Sequence, residues 1–83
     1  MDKTINNVLL ILNKHIDSHI IGLNNIDDKL TDLGMDSILF IQIVVALEEA
    51  FEIEIPDEKL LIPEMDTINK MLDVILHSPS NKY

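Results

Sequence analysis

The sequence predicts an all-α fold: a small bundle of three main helices and one short helix, with a long loop between the first and second helices. Three observations carry this. Apolar residues recur at helical spacing in separate stretches, each preceded by a side chain able to cap a helix. The two glycines, Pro56 and Pro63 fall between those stretches, and Pro79 follows the last of them. The one run that alternates like a strand, Phe51 to Ile55, has no second run to pair with, and Pro56 ends it.

The first helix, about residues 4–16, follows from Ile5, Val8, Leu9, Leu12 and Ile16 on one face, opened by Thr4 or Asp2. Residues 17–35 contain Gly22, Asn24, Asn25, Asp27, Asp28 and Gly34 and read as a loop. Loops of that length inside small domains are functional or pinned by their own side chains. The expected pins are Ile20, Ile21, Leu23, Ile26, Leu30 and Leu33. The second helix, about 37–51, is harder to read, because Ile38 to Leu47 is rich in β-branched residues and would also suit a buried strand. An N-cap at Asp36 or Ser37, and the unbroken continuation into Ala46, Leu47, Glu48, Glu49 and Ala50, favour helix. Its best inward face is Ile43, Ala46, Leu47 and Ala50, which leaves Leu39, Phe40 and Val45 facing elsewhere. Phe51 to Ile55 becomes an extended connector, and Asp57 to Leu61 a short helical turn between Pro56 and Pro63. Asp66 or Thr67 caps a last helix, about 67–77, with Ile68, Met71, Leu72, Ile75 and Leu76 on one stripe. Pro79 stops it, and Ser80 to Tyr83 forms a polar tail. The whole chain, 1–83, is one domain.

Composition excludes several classes. The chain has 83 residues, 47% of them hydrophobic, which supplies one compact core but no second one. With no cysteine it has neither disulfides nor thiol chemistry, and it suits a reducing compartment. With no arginine, six lysines and a net charge of -9, it is not expected to bind nucleic acid. The longest apolar stretch, Ile38 to Leu47, is broken by Gln42 and falls short of the roughly 20 residues of a membrane span. No signal peptide is legible at the start, where the run Val8 to Leu12 is too short. A cytoplasmic monomer without membrane contact is the expectation. The negative charge is concentrated: Asp27 to Asp66 holds 12 acids and two lysines, the rest of the chain three acids and four lysines. Such a middle is either a solvated surface or a docking face for basic partners.

The most informative stretch is Leu30 to Ile38. A glycine turn there delivers the Ser37 hydroxyl to the exposed first turn of a helix, where unpaired N–H groups and the helix dipole favour a phosphate. A plain capping role is the other use of such a serine. Catalysis by Ser37 is not expected. Leu39 stands where the flanking glycine of a nucleophile elbow would be, only His77 lies downstream, and nothing supplies both a base and an oxyanion hole. His15 and His19 lie four apart without a third ligand at fitting spacing, and the acids at 27, 28 and 32 do not fit a calcium loop. No metal site is expected.

Taken together, Leu33, Gly34, Met35, Asp36, Ser37 and Ile38, then Ala46, Leu47, Glu48, Glu49 and Phe51, then Ile55, Pro56, Asp57 and Glu58, resemble the acyl carrier protein family in order and spacing. The resemblance implies that Ser37, beside Asp36, carries 4'-phosphopantetheine, added from coenzyme A by a phosphopantetheinyl transferase. An acyl group would ride on the arm as a thioester, and the chain itself would catalyse nothing. The implied partner face comprises Ile38, Leu39, Phe40, Ile41, Gln42, Val45, Glu48, Glu49, Glu52, Asp57 and Glu58. The implied wall near the arm comprises Leu60, Leu61, Ile62 and Met65. Where fatty-acid carriers have acids just after the serine, this chain reads Leu39, Phe40, Ile41 and Gln42. That departure points to a specialised pathway, polyketide or nonribosomal peptide, with a partner that buries Leu39 or Phe40. In the other arrangement Phe40 and Ile41 fold inward against the loop. The further partners implied are an acyl- or aminoacyl-loading ligase and downstream synthases or transferases. An aminoacyl or peptidyl carrier, and a helical interaction module that carries nothing, are the alternatives.

Overall fold

In the computed structural model, which describes residues 2–81, Thr4 starts α1 (Ile5–His15) by accepting a hydrogen bond from the Asn7 N–H at 3.4 Å. Lys82 and Tyr83 of the expected tail lie outside the described residues. Among those residues the architecture is helical: α1 is followed by α2 (Ser37–Phe51), α3 (Ile62–Met65) and α4 (Ile68–His77), with short 3-10 turns between them. Asp36 caps α2, its Oδ1 accepting from Leu39 N–H at 2.8 Å, and Thr67 caps α4 through Lys70 N–H at 3.1 Å. Each such cap contributes about 1 kcal/mol by satisfying a donor the helix itself cannot reach.

The three long helices bury one stripe each. Val8 and Leu12 from α1, Ile43 and Leu47 from α2, and Ile68, Met71 and Ile75 from α4 are fully enclosed. Fully burying side chains of this size stabilises the fold by about 1.5–3 kcal/mol apiece before entropy is counted.

The long loop is pinned at fewer places than expected. Ile21 and Leu30 are buried, Ile26 and Leu33 pack against the core, but Ile20 and Leu23 face solvent, Ile20 at 96% exposure. The cause is Asn13, whose side chain grips both polar groups of Ile21, accepting from its N–H at 2.8 Å and donating to its carbonyl at 2.9 Å. With Ile21 held inward, its neighbour Ile20 is left facing outward. Further along, Leu30 N–H donates to the Asp66 carbonyl at 2.7 Å and Asn69 N–H to that of Ile26 at 3.2 Å. The loop is therefore fastened to the junction of α3 and α4.

Beyond α2 two expectations need correction. Residues 51 to 55 do alternate, with Phe51, Ile53 and Ile55 buried, but the connector has a partner: Ile53 forms an antiparallel bridge with Ser80. Glu54 N–H donates to the Pro79 carbonyl at 2.9 Å and Asn81 N–H to that of Glu52 at 3.0 Å. The tail is polar and gave no strand signal, and Asn81 Nδ2 adds a side-chain bond to the Ile53 carbonyl at 3.2 Å. Second, the expected short helix at 57–61 is a 3-10 turn over Asp57–Lys59, and a separate α3 follows. Pro63 sits in the first turn of α3, where its missing N–H costs nothing, so it helps open a helix where a stop was expected.

Candidate functional site

The approach to α2 is built by Gly34. Its φ is 110°, a conformation costly to any residue with a Cβ, and a Cβ there would stand 2.7 Å from Ser18 Oγ and 3.1 Å from Ser18 Cβ. The turn is held from both sides. Gly34 N–H points to the carbonyls of Leu30 and Thr31, and Met35 N–H donates to the Leu30 carbonyl at 2.9 Å. His19 Nδ1 donates to the Leu33 carbonyl at 3.0 Å, so the segment after α1 buttresses the turn. Met35 then buries its side chain, and Asp36 caps the helix.

Ser37 is the first residue of α2 and is exposed. Among the described residues no side chain or backbone group engages its hydroxyl. Asp36 spends one carboxylate oxygen on the cap, which fixes the direction in which the serine leaves the turn.

Down the helix from Ser37, the apolar residues divide into two stripes. Phe40, Ile43, Val44, Leu47 and Phe51 are buried. Ile38, Ile41 and Val45 are exposed, at 67%, 63% and 47%. Gln42 is exposed and Leu39 half-buried. The expectation that Phe40 faces a partner is thus corrected: it lies three, four, seven and eleven residues before the other buried members, squarely on the inward stripe. Ile41, one residue on, faces out. Val44 is inward as well, which the sequence reading missed because α2 is apolar on nearly all sides.

Of the acids expected on the partner face, Glu49, Glu52, Asp57 and Glu58 are exposed. Glu48 is half-buried, and its Oε2 accepts from Ile55 N–H at 2.9 Å, so it fastens the connector to α2. Of the expected wall, Leu60 and Ile62 are half-buried and Leu61 is 58% exposed. Met65 is wholly buried in the core, and this corrects its assignment to the arm. A pocket of about 220 Å³ opens on this side, lined by Phe40, Ile41, Val44, Val45, Glu48 and Leu60. Among the described residues no group of three or more His, Cys, Asp or Glu is placed to hold a metal ion. His15 and His19 spend their Nδ1 atoms on carbonyls of Ile11 and Leu33. No helix of the described residues is long and apolar enough to cross a membrane.

Residues 15–75 match the family described as "Phosphopantetheine attachment site". Over 51 residues the chain is 41% identical to the acyl carrier protein of Syntrophobacter fumaroxidans and 45% identical to that of Wolinella succinogenes, covering 61% of this chain in both cases. Over 48 residues, 58% of this chain, it is 40% identical to the mitochondrial acyl carrier protein of Saccharomyces cerevisiae. The matches span 57% and 60% of the two bacterial relatives and 37% of the yeast one. The chain belongs to the phosphopantetheine attachment site family, that of the acyl carrier proteins, whose covalently attached group is 4'-phosphopantetheine.

Proposed function

We propose that this chain is an acyl carrier whose attachment residue is Ser37. The observation that carries the reading is the Ser37 hydroxyl, exposed at the first position of a 15-residue helix, behind a glycine turn, with no protein group to displace. A phosphodiester on that oxygen fits the residues present. The first-turn N–H groups and the positive end of the helix dipole face it, and Asp36 has turned one carboxylate oxygen onto the Leu39 N–H. A phosphopantetheinyl transferase would supply the group from coenzyme A. When bound, the group offers a thiol at the end of a flexible arm, on which an acyl cargo is held as a thioester. The protein's own residues present the arm, dock successive enzymes and catalyse nothing.

The exposed stripe Ile38, Ile41 and Val45 supports docking through apolar contact near the serine, and Glu49, Glu52, Asp57 and Glu58 support a basic rim on the partner. No acid occurs on α2 before Glu48. That polarity favours a carrier of a specialised pathway, polyketide or nonribosomal peptide, served by its own loading ligase and downstream synthases or transferases. The same apolar first half of α2 supports aminoacyl cargo as the second reading. Leu60, Leu61 and Ile62 border the path the arm takes.

The test is incubation with coenzyme A and a broad-specificity phosphopantetheinyl transferase, followed by intact mass measurement. One phosphopantetheine is gained, and Ser37→Ala gains none while melting at the same temperature. A wild-type protein that stays bare, or an adduct on another residue, overturns the reading.

A further inference from the structure

Exposure alone says little of an apolar side chain, since single hydrophobic residues are ordinary on protein surfaces. Ile20 differs in being fully displayed and yet fixed. It is 96% exposed, while both of its neighbours in the chain are tied down. On one side His19 Nδ1 donates to the Leu33 carbonyl at 3.0 Å. On the other, Ile21 is buried and both of its backbone polar groups are held by the Asn13 side chain. Ile20 itself is β-branched, with little freedom about χ1. An apolar side chain held out in this way meets a partner at little further loss of entropy, because the backbone beneath it is already ordered.

Its place relates it to Ser37. Ser18, two residues before Ile20, packs against Gly34, where a Cβ would stand 2.7 Å from Ser18 Oγ. Gly34 in turn precedes Ser37 by three residues. Even fully extended, these two spans reach about 7 Å and about 11 Å. A docking patch of about 800 Å² is about 32 Å across, so one patch holds both Ile20 and the serine. The charge around Ile20 has one sign. Between Lys14 and Lys29 the chain carries Asp17, Asp27 and Asp28, all exposed, and no lysine.

We propose that Ile20 is a docking residue for the phosphopantetheinyl transferase that loads this chain, seated in an apolar depression with a basic rim on that enzyme. The inference rests on Ser37 as the acceptor and adds a contact on a second element. Ile38, directly after the serine and 67% exposed, lies on α2; Ile20 lies on the loop that buttresses the turn before it. Contacts on two elements fix the rotation of the carrier about the α2 axis, which a stripe along one helix leaves freer.

The experiment measures loading of the full chain from coenzyme A by a transferase that modifies the wild type, over a range of carrier concentrations, with the adduct followed by intact mass. In Ile20→Ala the KM for the carrier is expected to rise about five-fold, while kcat and the melting temperature stay as they were, because the side chain touches the enzyme and not the reacting atoms. Ile20→Leu, which keeps the apolar volume, restores most of the loss. Leu76→Ala, at the C-terminal end of α4 and 54% exposed, leaves KM unchanged. An Ile20→Ala KM equal to that of wild type overturns the proposal, as does an equal rise in Leu76→Ala. A wild-type dimer that Ile20→Ala turns into a monomer, read by sedimentation, overturns it in favour of a second copy of the chain as the occupant. A wild type that gains no adduct, or a Ser37→Ala variant that gains one, defeats the tether and the proposal with it, a failure distinct from the other three.

Discussion

α1 and α4 each spend their apolar residues on the core and leave one large one well exposed, Leu10 at 57% and Leu76 at 54%. α2 buries a full stripe and then exposes a second one, Ile38, Ile41 and Val45, in helical register beginning one residue after Ser37. A helix whose sole task is packing has no use for the second stripe, which costs solubility and contributes nothing to folding. The surplus on α2 is the basis of the docking role proposed for it. It lies next to the Ser37 hydroxyl, which the glycine turn presents to solvent.

The sharpest way to break this comparison is to truncate one residue from each stripe of α2. Ile43→Ala removes a fully buried side chain and is expected to cost about 2–5 kcal/mol, a large share of the roughly 4–12 kcal/mol available to a domain of this size. Ile41→Ala, two residues earlier and 63% exposed, is expected to change stability by less than about 0.5 kcal/mol. It should nevertheless lower kcat/KM for loading by a phosphopantetheinyl transferase several-fold. Denaturant melts of both variants, with loading rates for the stable one, separate the stripes. If Ile41→Ala loads like wild type, the exposed stripe is surface and no more.

A smaller effect is expected at the turn before the serine. Gly34→Ala forces a Cβ into a left-handed backbone and against Ser18, a cost of about 1–2 kcal/mol or more. Relief comes most cheaply by moving the turn, and Ser37 moves with it. The variant should lose stability and loading rate together, whereas Ser37→Ala loses loading alone. Thermal melts beside loading assays show whether the two losses are coupled.

How much of this was legible in the sequence follows from the same contrast between helices. Ile5, Val8, Leu9, Leu12 and Ile16 announce α1, and Ile68, Met71, Leu72 and Ile75 announce α4, because polar residues occupy their other faces. The Gly34 to Ser37 turn was legible for a local reason: glycine, a cap and a hydroxyl stand within four residues. In α2 the pattern has no contrast. From Ile38 to Leu47 only Gln42 is polar, so periodicity could not say whether Phe40 or Ile41 turns inward. Met65 was misplaced because nothing local distinguishes an apolar residue beside a pocket from one in the core beneath it. The buttress of Ser18 and His19 on the turn is a contact across the loop, and no spacing rule reports such contacts.

The finest distinction concerns Glu48 and Glu49, adjacent and chemically identical. Glu48 is half-buried and accepts the Ile55 N–H, while Glu49 is exposed beside a cleft of about 460 Å³ lined by Glu48, Glu54 and Asn81. Glu48→Ala leaves that N–H without its acceptor and should cost about 1 kcal/mol, and Glu48→Gln, which keeps a carbonyl oxygen at the same place, should restore most of it. Glu49→Ala should leave the melting temperature where it was. Its effect belongs to encounter: one negative charge fewer on the docking face lowers the loading rate at low salt, and the deficit fades as salt screens the remaining charges. Loading rates across a salt series, set beside melts of all three variants, decide the matter. Equal salt dependence in Glu49→Ala and wild type would mean that the acidic half of α2 is solvated surface, and that only the apolar half meets a partner.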